Sequence, residues 1–97
     1  MFAAVRRSKL KPGMGDEFAK RVKTGALPAL KKIAGYQRYC LIFGAGGTIT
    51  AVTLFVSKAG AEESNTKLLP WIRENLGPLM ATPPELGDGE VVVSDPA

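Results

Sequence analysis

Residues 36–43 and 48–56 form two consecutive runs that are apolar on both of their alternating faces, and this limits the chain more than any other feature. In the first run Tyr36, Cys40 and Ile42 share one parity, and Tyr39, Leu41 and Phe43 share the other. The second run is rich in β-branched residues, as strands are. Successive strand side chains point to opposite sides of a sheet, so a sheet built on these strands needs cover on both sides. Gly44-Ala45-Gly46-Gly47 joins them and reads as a hairpin connection. A phosphate cradle would run from a strand into a helix instead.

The flanking segments supply cover for one side. Met14, Phe18, Val22, Ala26, Leu30 and Ile33 recur at helical spacing, with Asp16 and Glu17 in the first turn and Lys31-Lys32 in the last. Pro28 cannot donate to the carbonyl of Thr24, which predicts a kink, and Ala34-Gly35 ends the helix. Ser57 is placed to cap a second helix, with Glu62 and Glu63 in its early turns and Leu68, Ile72, Leu76 and Leu79 as its apolar stripe. Pro70 predicts a kink or restart within it, Gly77-Pro78 weakens its end, and Thr82-Pro83-Pro84 stops it. Residues 2–10 read as the first strand, where Arg6 shares parity with Phe2, Ala4, Ser8 and Leu10. Lys11-Pro12-Gly13 is a turn signal. A short fourth strand is expected at residues 90–94, after Gly87-Asp88-Gly89.

The order strand, helix, strand, strand, helix, strand is the ferredoxin-like βαββαβ sandwich. The fold class is α+β: a four-stranded antiparallel sheet with two helices on one face. Ninety-seven residues make one domain, 1–97. With two helices on one side, a second copy of the sheet is the expected cover for the other, so the chain should form a homodimer.

Charge and composition narrow the function. Residues 1–38 hold ten Lys/Arg against two acids, a net of +8; residues 39–97 hold three against seven, a net of −4. A basic half can meet nucleic acid, but residues 50–55 lack the exposed-aromatic motif of an RNA-reading sheet. The two halves are better matched to each other, within a chain or across a dimer. No apolar window reaches the length of a membrane helix. The amino terminus puts apolar residues before Arg6-Arg7, the reverse of a secretory signal, and Cys40 has no disulfide partner. A cytoplasmic protein is expected, with Cys40 as a small buried hydrophobe.

Histidine is absent. Triad and Cys–His nucleophile systems are thereby removed, as is a Cys/His zinc shell. No metal, haem or flavin cofactor is expected.

Several segments together resemble the antibiotic biosynthesis monooxygenase-like (ABM) family. They are Ala4-Val5-Arg6-Arg7 followed by Leu10-Lys11-Pro12-Gly13 and Asp16-Glu17-Phe18; Lys32-Ile33-Ala34-Gly35-Tyr36, with Ala34 where the family has proline; and Phe55-Val56-Ser57-Lys58-Ala59. The resemblance implies a dimeric α+β barrel with the two sheets face to face. It also implies a pocket between sheet and helices and, in some members, oxygenation without a cofactor. The family's haem-degrading branch uses a helix histidine and a first-strand asparagine; here there is no histidine, and Arg6 stands at the asparagine's position.

The candidate ligand-binding residues are Arg6, Phe18, Val22, Phe55, Asn65, Trp71 and Ile72. The aromatic and aliphatic members would wall a cavity. Arg6 must reach the rim, pair with a carboxylate such as Glu85 or Glu90, or hold a ligand anion. The expected function is binding of a small aromatic or quinone-like molecule, with cofactor-independent oxygenation as its chemistry. The alternative is a non-catalytic ligand-binding or structural barrel protein.

Overall fold

A computed structural model describes residues 1–96. Strands β1 (Phe2–Lys9), β2 (Tyr36–Phe43), β3 (Thr48–Phe55) and β4 (Glu85–Glu90) form one antiparallel sheet in the order β2-β3-β1-β4. Helices lie on one face of it. The first helical rod is α1 (Gly15–Arg21), a π-helical turn at Val22–Ala26 and α2 (Leu27–Lys31); the second is α3 (Lys58–Asn75). This is the ferredoxin-like α+β arrangement that the sequence order predicts. Among the described residues, no helix is long and apolar enough to cross a membrane.

Both apolar stripes are where helical periodicity puts them. Phe18, Val22, Ala26, Leu30 and Ile33 are buried on the first rod, and Leu68, Ile72, Leu76 and Leu79 on and after α3. They meet Ile49, Ala51 and Phe55 of β3 and Ala4 of β1. Ser57 caps α3, its Oγ accepting from the Gly60 N–H at 3.2 Å. The strain at Pro28 is taken up as the π turn, which closes with the Leu27 N–H donating to the Val22 carbonyl. A π turn re-pitches a helix where a proline removes a donor. Pro70 does not restart α3, which continues from Lys58 to Asn75 with the proline exposed on its surface.

The fourth strand is displaced from its expected place. It spans Glu85–Glu90, while residues 91–94 lie outside the sheet. Register explains this: β4 pairs with β1 from Arg7↔Glu85 to Phe2↔Glu90, so by Val91 the partner strand has run out. The need of β1 for a hydrogen-bonding neighbour on its open side outweighs the poor strand propensity of Glu-Leu-Gly-Asp-Gly-Glu. Every residue of β4 is exposed.

The sheet's other face carries the rows Arg38-Leu54-Ala3-Gly89 and Cys40-Val52-Val5-Gly87, and beside them Ile42. Within the protomer no helix covers this face. Cys40 is therefore exposed rather than buried: it lies on the outer side of an edge strand, opposite Val52.

Candidate functional site

Cross-strand register puts three polar side chains among the apolar ones on the helix-facing side. Arg6 is opposite Ala51, Ser8 opposite Ile49, and Tyr39 opposite Thr53. Beneath the helices they meet Phe18, Val22, Ala26, Leu30, Leu68, Ile72 and Leu76 around a cavity of about 30 Å³. Met80, Pro84 and Arg7 form its mouth. The mouth is tied to the end of β1, where the Ala81 N–H donates to the Lys9 carbonyl at 2.7 Å and Ser8 Oγ donates to the Thr82 carbonyl at 2.8 Å.

Arg6 is only 7% exposed. Its Nη2 donates to Ser64 Oγ at 3.2 Å and its Nη1 to Thr53 Oγ1 at a long 3.4 Å. Its Nε is buried with no partner among the described residues. No carboxylate lines the cavity, and the three ion pairs found among the described residues are exposed i,i+4 pairs along helices. A guanidinium has five N–H donors, and burying a charge without a counter-charge is costly. Burial accordingly lowers the pKa of Arg6 from its usual value, against a smaller opposing pull from Tyr39. Arg6 is thus a buried cation with a free Nε donor and no counter-charge in the cavity lining.

Tyr39 is the second polar wall. Burial pushes its phenol up to about 12, partly offset by the neighbouring Arg6 charge. The native state therefore holds the Tyr39 proton more tightly than the unfolded chain, whose tyrosines titrate near ~10. This contribution to stability is complete below pH ~10 and is lost as pH rises from there through about 12. Urea unfolding at pH 9, 10.5 and 12 should show the wild type losing its advantage over Tyr39→Phe across that window. Parallel loss in both proteins would mean that Tyr39 titrates as if solvated.

Of the residues expected from sequence, Arg6, Phe18, Val22 and Ile72 come together at the cavity. Phe55, Asn65 and Trp71 do not line it. Phe55 is fully buried deeper in the core, edge-on to Tyr36 with ring centroids 6.2 Å apart. Asn65 turns toward the sheet edge, its Nδ2 donating to the Gly87 carbonyl at 3.1 Å. Trp71 lies on the far side of the helices, against Gly25, in an open groove with Pro28, Lys32 and Lys67. A Cβ at Gly25 would sit 2.2 Å from the indole, so only glycine permits this approach.

Sequence reasoning missed Thr53 and Ser64, the two hydroxyls that hold Arg6. The signal was present: each is a polar residue inside an otherwise apolar stripe, Thr53 between Ala51 and Phe55, and Ser64 four residues before Leu68. Met80 and Pro84 gave no such signal, because the chain brings them to the cavity only after α3 ends.

No protein-family model and no curated protein matches the chain. Solved structures do. A protein of unknown function from Nitrosomonas europaea superposes with a TM-score of 0.77 at 20% identity, covering 96% of this chain and 90% of that one. A provisionally named antibiotic biosynthesis monooxygenase from the same organism gives 0.75 at 13% identity, covering 94% and 89%. A variant of SnoaB, a cofactor-independent oxygenase from Streptomyces nogalater, gives 0.75 at 16% identity, covering 99% and 97%. Near-complete coverage on both sides defines the architectural class, a ferredoxin-like α+β domain. Within that class the chain has the fold of the antibiotic biosynthesis monooxygenase-like proteins.

Proposed function

We propose that this protein is a homodimeric α+β barrel that binds a small aromatic or quinone-like molecule as its anion at Arg6, and oxygenates it without a cofactor. The observation that carries this reading is the buried guanidinium with no carboxylate and an unused Nε. Nothing in the fold of a single chain requires a charge there. An anionic ligand would supply the missing partner, in apolar surroundings where that attraction is strong.

The reaction needs little from the protein. A ring-activated CH₂ group loses a proton to solvent, and Arg6 stabilises the resulting delocalised anion. The anion reduces O₂, a C–O bond forms, and water leaves to give a carbonyl. Overall, substrate CH₂ plus O₂ becomes C=O plus H₂O. The likeness in fold to SnoaB supports the assignment. The cavity, about 30 Å³, is far smaller than the ~300–1,000 Å³ of a pocket that holds a ring-sized ligand. A ring therefore enters only as the flexible Met80 side chain swings out of the mouth. The outer sheet face, with Val5, Val52, Leu54 and Ile42 uncovered within one chain, supports the homodimer.

Calorimetric titration with 2-hydroxy-1,4-naphthoquinone, which is ionised at neutral pH, tests the binding. The anion should bind and its neutral methyl ether should bind at least tenfold more weakly. Equal affinity, or none for either, removes the anion site. Oxygen uptake on adding a reduced, ring-activated substrate tests the reaction. Binding without uptake would leave a ligand-binding protein that performs no chemistry.

A further inference from the structure

From Phe18 to Ala61 the chain holds no Asp or Glu, yet seven Lys and Arg fall within that stretch. Five of them lie on the first helical rod or at its end. Arg21 is already engaged, its Nε donating to Glu17 Oε1 at 2.9 Å and its Nη1 to the Asn75 carbonyl at 2.6 Å. Lys20, Lys23, Lys31 and Lys32 are exposed and have no ion-pair partner among the described residues. Lys20 and Lys31 stand about 16 Å apart along the rod, at ~1.5 Å per residue. One small anion cannot span that distance.

The same rod forms one wall of the groove that holds Trp71. Gly25, in the π turn, lets the indole lie against the rod's backbone. Pro28 and Lys32 extend that wall, Lys67 stands opposite on α3, and the buried Ile33 and Leu68 make an aliphatic floor. The groove encloses about 520 Å³, within the ~300–1,000 Å³ of ligand sites. Glu63 holds Lys67 at 2.6 Å and offsets its charge, so the unmatched charge lies on the first rod. The groove is on the far side of the helices from the uncovered sheet face, and a homodimer joined through that face leaves it open.

We propose that this groove docks an acidic segment of a partner protein, with one aliphatic side chain against Trp71 and carboxylates along Lys20, Lys23, Lys31 and Lys32. Charge complementarity selects the class of partner, and the apolar floor selects its anchor. A nucleic acid would want open aromatic faces for its bases, and this indole is packed on Gly25. A second copy of the chain would bring its acidic β4 edge, with Glu85, Asp88 and Glu90, to the groove. That contact joins two different surfaces and would propagate into rings or filaments. The docking is independent of the cavity at Arg6.

Trp71 is the chain's only tryptophan, so its fluorescence reports on the groove. The probes are two synthetic peptides, Asp-Glu-Asp-Leu-Glu-Asp-Glu and its counterpart with serine in place of leucine. The leucine peptide should shift Trp71 emission to shorter wavelength and bind at least tenfold more tightly than the serine peptide. Its affinity should fall as salt is raised. The double variant Lys31→Glu/Lys32→Glu should fold, because both positions are exposed, as its circular dichroism will report. It should bind the leucine peptide at least tenfold more weakly. Equal affinity for the two peptides would overturn the groove as the anchor's seat, and undiminished affinity in the variant would overturn the basic wall. No change in emission would overturn the docking altogether. A thymidine oligonucleotide that binds more tightly than the leucine peptide would make the surface a nucleic-acid interface instead. Assemblies larger than a dimer in sedimentation velocity, dissolved in the variant, would put a second copy's β4 edge in the groove and overturn the partner protein.

Discussion

Arg6→Met should make the protein more stable and less able to bind. The substitution removes a buried, uncompensated charge and fills nearly the same volume with a flexible apolar side chain. Replacing buried ionic groups by apolar ones of similar size commonly stabilises by about 1–4 kcal/mol. Ser64 Oγ keeps its bond to the Ala61 carbonyl at 2.8 Å, so little is orphaned by the change. Binding of 2-hydroxy-1,4-naphthoquinone should weaken by at least ~1.5 kcal/mol, the lower figure for a hydrogen bond to a charged group. Urea unfolding beside a calorimetric titration measures both. A residue that stabilises nothing and binds something is one retained for function. A variant less stable than wild type would instead make Arg6 a structural strut between Thr53 and Ser64.

Phe55→Ala should be the most damaging single truncation in the core. The ring is fully buried, edge-on to Tyr36, and the first turn of α3 rests on it. A Cβ at Gly60 would come within 2.9 Å of Phe55 Cδ1, which shows how closely the helix backbone approaches the ring. Removing a buried phenylalanine costs about 3–5 kcal/mol, a large part of the ~5–15 kcal/mol available to a small domain. The melting temperature should fall by roughly 12 °C or more. The urea m-value should stay the same if both proteins unfold in two states. A loss below about 2 kcal/mol would show that α3 settles onto the sheet and closes the gap.

The elements that bury a stripe were legible residue by residue. Phe18, Val22, Ala26, Leu30 and Ile33 gave the first rod, and the strand bounds at Tyr36–Phe43 follow from the glycines on either side. β4 was not legible, because an edge strand with no buried side leaves no hydrophobic period to read. Its place is set by the unpaired edge of β1, a demand made from eighty residues away. The site divides in the same manner. Arg6 is marked by its parity with Ala4 and Ser8, and Phe18, Val22 and Ile72 by their stripes. Trp71 and Asn65 were misplaced because α3 turns them away from the sheet's centre, a rotation that spacing alone does not fix.

A strand with no buried side chain has a further effect. Detaching β4 from β1 uncovers little apolar surface besides part of Leu86, and chiefly the ladder hydrogen bonds and the Asn65 bond to the Gly87 carbonyl resist it. The sheet can thus fray on this side while its other three strands stay intact, as low-stability segments do without global unfolding. Leu86 is the residue opposite Arg6, so the fraying edge borders the buried guanidinium. Fraying there would bring water nearer to a charge that the folded sheet keeps buried.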